Sequence, residues 1–113
     1  AKFPPAQFNR FKMFLDVHAH SIASSIFMYA PLPDREQDQA YIEILPKILH
    51  NTSPYFLFEN CQFSNDKYKK NCARLAVARD FQLQDSYTIE SSCFGYELKG
   101  SGTQNLDPVI EQF

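Results

Sequence analysis

The 113-residue chain has no apolar run near the roughly 18 residues needed to span a bilayer, so the sequence excludes a transmembrane helix. No block of Lys and Arg forms a nucleic-acid footprint; 11 basic and 13 acidic residues leave a net charge of −2. That balance still permits a local basic pocket for an acidic ligand. The three cysteines, Cys61, Cys72 and Cys93, are odd in number and show no C-x-x-C spacing, which points to free thiols in a reducing, cytoplasmic setting. Glycine is scarce, and all three glycines fall between Gly95 and Gln104, which reads as a flexible loop. No repeat and no low-complexity segment occurs. Neither a signal nor a transit peptide opens the chain, and the absence of an initiator Met reads as a cut through a longer protein.

What is present belongs to a folded domain. Hydrophobic residues make up 44%, with eleven phenylalanines and six tyrosines, enough for one modest core. Residues 1–10 form a lead-in, since Pro4-Pro5 prevents regular structure. Lys12 to Val17 has strand length and the continuous apolar character of a sheet covered on both faces. Ile26-Phe27-Met28-Tyr29 is a second strand, stopped by Pro31 and Pro33. Asp34 is a good N-cap, and Tyr41, Ile44, Leu45, Ile48 and Leu49 recur at helical spacing. They predict a helix over 34–50 with a kink at Pro46. Tyr55-Phe56-Leu57-Phe58 must pack on the core. Residues 73–81 read as a short helix and 86–92 as a strand, and Asp107-Pro108 reads as a further helix start. Strands alternating with helices predict an α/β layer architecture, with part of a mixed sheet flanked by helices. Asn51-Thr52-Ser53 matches a glycosylation sequon, which we treat as a chance match.

Chemistry enters at Asp16-Val17-His18-Ala19-His20-Ser21. In an extended chain alternate side chains share a face, so Asp16, His18 and His20 project together. Paired imidazoles can hold a divalent metal, and an aspartate beside them can orient one. The same pattern also suits a polar strand end with solvated histidines, and the residues alone leave both readings open.

Three stretches together resemble the zinc carboxypeptidases, and within them the cytosolic branch. They are Asp16–Ser21 with Ile26-Phe27-Met28-Tyr29; Leu45-Pro46-Lys47-Ile48-Leu49 with Asn51-Thr52-Ser53-Pro54-Tyr55-Phe56; and Ala73-Arg74-Leu75 leading to Ser86-Tyr87-Thr88-Ile89-Glu90-Ser91. The resemblance implies that the chain is the C-terminal half of such a catalytic domain. His18 would then be a Zn2+ ligand and Glu90 the general base. It implies that Arg74 faces the pocket for the substrate's C-terminal side chain, where a guanidinium would pair with a terminal glutamate. Tyr68 lies near the family's mobile, substrate-contacting tyrosine. His20 is implied as a pocket residue rather than a second ligand. Asp16 either orients the site or serves strand-end structure. Apart from the family, Glu90 reads as an ordinary strand-end carboxylate and Arg74 as a solvated helix residue. Lys67, Lys69 and Lys70 read as a solvated loop.

The family's other zinc ligands lie in an H-x-x-E motif, which none of His18, His20 and His50 begins. The remaining ligands are therefore expected outside this chain, in an N-terminal half that becomes its partner. Acidic protein C-termini, such as polyglutamylated tubulin tails, are the implied substrate; no nucleic acid and no membrane is expected as a partner. The competing expectation is a catalytically incomplete module with a structural or partner-binding role.

Overall fold

A computed structural model of the chain describes residues 10–21, 24–65, 72–93, 95–97 and 103–105. Its centre is a mixed four-stranded sheet in the order β1 (Phe14–His20), β4 (Ser86–Ser92), β2 (Ile26–Ala30), β3 (Gln62–Phe63). β1 runs parallel to β4, β2 antiparallel to β4, and β3 parallel to β2. Helices α1 (Gln39–Ile42) and α2 (Ile44–Thr52) follow β2, and α3 (Ala73–Phe81) precedes β4. The predicted α/β architecture is the observed one.

One sheet face carries the core. Met28, Ala30, Ile42, Phe56 and Tyr87 are buried together, with Ile26, Leu45, Leu49, Phe63 and Ile89 packed around them. Phe56 and Leu57 do enter the interior, as their apolar cluster requires. β1 departs from expectation. It is an outer strand of the sheet, and Leu15 and Val17, on the core side, remain 45% and 72% exposed. Its apolar run is therefore not covered on both faces among the described residues. Tyr41 of α1 and Ile44 and Ile48 of α2 are likewise exposed.

The helix expected over 34–50 is interrupted, and not at Pro46. A 3-10 turn covers Glu36–Asp38, and α1 and α2 are separated at Glu43. Asp34 caps nothing here: the first turn is preceded by Arg35, and Arg35 is held by Asp38 at 2.9 Å. Pro46 falls in the first turn of α2, where an amide donor is not required. It is fully buried. The carbonyl four residues earlier, on Ile42, lies 3.1 Å from the Tyr87 hydroxyl, which can donate to it. The same hydroxyl lies 2.9 Å from Asp85 Oδ1, so its one proton is shared between that carboxylate and the Ile42 carbonyl.

The glycine-rich segment is also a correction. Instead of a featureless loop, β5 (Gly95–Glu97) pairs antiparallel with β6 (Thr103–Asn105). The ring of Tyr96 packs edge-on against Tyr55 at 4.9 Å. The helix start predicted at Asp107-Pro108, the 1–9 part of the lead-in, Lys67, Lys69 and Lys70 lie outside the described residues.

Candidate active site on the second sheet face

Strand alternation assigns Phe14, Asp16, His18 and His20 of β1 to the face opposite the core. The parallel register sets Asp16 beside Thr88, His18 beside Glu90 and His20 beside Ser92. The antiparallel register of β2 adds Phe27 beside Glu90 and Tyr29 beside Thr88. His18 and Glu90, seventy-two residues apart in sequence, thus become direct neighbours.

The His18 ring lies between two carboxylates. Its Nε2 is 2.9 Å from Asp16 Oδ2, and its Nδ1 is 3.8 Å from Glu90 Oε1. The His18 side chain is 51% exposed, whereas Glu90 is only 12% exposed. The imidazole can therefore reach a ligand from solvent, while the carboxylate is held in a sheltered position next to it.

His20, the neighbour at i+2, is 9% exposed. Its Nε2 donates to the Ser25 carbonyl at 3.1 Å, and its ring packs edge-on against Phe27 at 4.8 Å. Ser25 Oγ in turn accepts from Asn60 Nδ2. The two histidines therefore sit in different surroundings, one half open and one buried against Ser25 and Phe27.

Arg74 comes from α3, which packs over β4 and β1. It is 5% exposed, so it is not a solvated helix residue. The Ser86 hydroxyl donates to its backbone carbonyl at 2.6 Å, anchoring the first turn of α3 to the start of β4. Nη1 reaches Thr88 Oγ1 at 3.4 Å, and the guanidinium lies 5.2 Å from the centre of the Tyr29 ring. Nε is buried without a hydrogen-bond partner, and among the described residues no carboxylate lies within ion-pair distance. Thr88 precedes Glu90 by two residues on the same face, a separation of about 7 Å along a strand. A buried cation lacking a counter-ion, one strand step from a sheltered carboxylate, is an arrangement that suits an anionic ligand.

Thr88 and Tyr29 were not singled out from the sequence. Alternation within 86–92 offered a signal for Thr88, which shares the Glu90 face; Tyr29 needed the register between β2 and β4. Tyr68 lies outside the described residues. Among the described residues no three His, Cys, Asp or Glu side chains converge to hold a metal ion. The donor set nevertheless fits a shared zinc site in part: one half-exposed imidazole with a nitrogen turned to a neighbouring carboxylate is what a single ligand and a base require.

No family model matches the chain. It is 32% identical over 120 aligned residues to "Cytosolic carboxypeptidase 1" of Gallus gallus, covering 89% of this chain and 10% of that protein. It is 31% identical over 96 residues to "Cytosolic carboxypeptidase 4" of Homo sapiens, covering 74% of this chain and 9% of that protein. The chain thus spans about a tenth of the length of the curated relatives it matches. A metallo-carboxypeptidase from Burkholderia cenocepacia shares its fold, with a TM-score of 0.59 at 20% identity over 72% of this chain and 21% of that one. Among the described residues no helix is long and apolar enough to cross a membrane.

Proposed function

Because the chain belongs to the zinc carboxypeptidases, as a homologue of their cytosolic branch, we propose that it forms the C-terminal half of a metallocarboxypeptidase catalytic domain. Residues 1–113 contribute one zinc ligand, the general base and the specificity pocket, and further residues complete the site. The observation that carries this reading is the His18–Glu90 register, which sets a half-exposed imidazole beside a sheltered carboxylate.

His18 would hold Zn2+ together with ligands from the N-terminal half. Zinc bound there supplies polarisation of the scissile carbonyl and a lowered pKa for water. Glu90, fixed on the central strand, takes the proton of the attacking water and returns it to the leaving amine. Phe27 beside it helps to exclude bulk solvent. Arg74 receives the side-chain carboxylate of a C-terminal glutamate, and with no counter-ion among the described residues its charge is left for that substrate. His20 and Tyr68 belong to the same proposal as pocket residues. Acidic protein tails, including polyglutamylated tubulin, are the substrates that such a pocket suits, in the cytoplasm where the relatives' names place them.

The exposed apolar side chains of Leu15 and Val17 on the core side of the outer strand β1 support an N-terminal half as the partner that covers them. The test is release of free amino acid from peptides ending in Glu, Leu or Phe by the complete domain. Glutamate should be released fastest, activity should disappear on chelation, and zinc should restore it. Failure to release any terminal residue from the zinc-loaded domain would favour the structural module instead.

A further inference from the structure

A long, rotamer-rich arginine must be held still if its charge is to meet a substrate carboxylate at one place. Hydrogen bonding contributes little to that at Arg74. Its Nη1 reaches Thr88 Oγ1 at a long 3.4 Å, and its Nε has no partner among the described residues. The aromatic neighbour is better placed, since the guanidinium carbon lies over the Tyr29 ring, 5.2 Å from its centre. Tyr29 is itself fixed. It lies in β2 between β4 and β3, with Thr88 beside it on one strand and Gln62 on the other. Its ring packs edge-on against Phe27 at 5.5 Å, and Phe27 packs edge-on against the buried His20 at 4.8 Å. His20, Phe27, Tyr29 and Arg74 thus form one row of contacts across the second sheet face, with Phe27 beside Glu90 in the register. A carboxylate in place of the ring would hold the guanidinium but would also neutralise it. A ring face attracts the cation and leaves its charge intact.

We propose that Tyr29 is a positioning residue for substrate selection: its ring, braced by Phe27, sets the Arg74 guanidinium in place before an anionic side chain arrives. This rests on the reading of Arg74 as the cation that receives a terminal glutamate. Ordering the arginine in advance removes that cost from the binding step. Loss of the ring therefore weakens glutamate-ending substrates and spares apolar ones, which do not use the cation.

The experiment is kcat/KM of the complete, zinc-loaded domain on peptides ending in Glu and in Leu. The variants are Tyr29→Phe, Tyr29→Leu, Arg74→Met and the double Tyr29→Leu/Arg74→Met change. Because Arg74 is buried, Tyr29→Leu should lower the Glu-to-Leu ratio by roughly 5–30-fold, the range of a desolvated cation–π contact. The Leu peptide should stay within about twofold of wild type. Tyr29→Phe keeps the ring and should hold the ratio within about twofold. In the Arg74→Met background, loss of the ring should change the ratio by no more than about twofold, because Tyr29 acts through Arg74. A wild-type ratio in Tyr29→Leu, an equal fall on both peptides, a Phe variant no better than Leu, or the same further loss without Arg74 would each overturn the inference. A wild-type ratio in Arg74→Met would overturn the Arg74 reading itself, so the two failures are told apart.

Discussion

Replacing Arg74 with Met should make the domain more stable while removing its preference for terminal glutamate. Arg74 is 5% exposed, and among the described residues its Nε has no partner and its guanidinium's one hydrogen bond, to Thr88, is long at 3.4 Å. Leaving Nε unpaired costs about 1–3 kcal/mol, and the desolvated charge adds to that cost. Against these stand the Thr88 bond, about 0.5 kcal/mol at that length, and the Tyr29 contact, about 0.5–2 kcal/mol. Methionine has similar reach and nothing to satisfy, so the balance favours it by about 1–3 kcal/mol. Urea unfolding of the complete, metal-free domain should show that gain. In activity, a substrate carboxylate would enter the pocket unpaired, a loss of about 3 kcal/mol or roughly a hundredfold in kcat/KM for Glu relative to Leu. A variant destabilised by more than about 1 kcal/mol with its Glu preference intact would refute the reasoning, because Arg74 would then be a structural cation.

Three further outcomes follow from the fold. Tyr87→Phe should cost about 1–3 kcal/mol in urea unfolding, since it removes the buried hydroxyl that lies 2.9 Å from Asp85 Oδ1 and 3.1 Å from the Ile42 carbonyl. Burial first, and then the Asp85 carboxylate, raise the Tyr87 pKa; stability from its neutral form is complete below the ordinary value of 10.0 and falls as pH climbs through the higher folded value. A wild-type curve flat across that range, or one identical to that of Tyr87→Phe, would count against the linkage. Burial likewise raises the Cys61 thiol from 9.0 to about 11, which holds its thiolate about a hundredfold below that of an ordinary thiol at pH 8. Exposed Cys93 should therefore be alkylated first, as peptide mapping of partly labelled protein would show. Gln82, which ends α3 at φ 52°, should accept Gly with a gain of about 0.5–1 kcal/mol in the same unfolding assay.

Local pattern explains why some elements were legible and others not. Helix formers and β-prone residues mark Ala73–Phe81 and Ser86–Ser92, and those elements occupy the residues expected. Periodicity over 34–50 predicts a kink at Pro46 and cannot reveal a helix boundary at Glu43, three residues earlier. Glycine content marks 95–104 as a loop, whereas the strands that hold Tyr96 and Thr103 exist by pairing with each other. β1 has the composition of a covered strand but an uncovered core-side face, and composition cannot report which surfaces find a partner. At the candidate site, alternation alone groups Asp16, His18 and His20. The juxtaposition of His18 with Glu90 depends on a parallel register between distant strands, and only the family resemblance connected them in advance. It likewise pointed to Arg74, but burial of that residue with no counter-ion among the described residues is a property of the folded chain.

The most direct test of the account is the activity and zinc content of Glu90→Gln in the complete domain, measured on the same preparation. Glutamine keeps the shape and the place beside His18 but cannot take a proton. The account predicts about one zinc per domain, as in the wild type, and a fall in kcat of at least about a hundredfold. Full turnover by the zinc-loaded variant would contradict it.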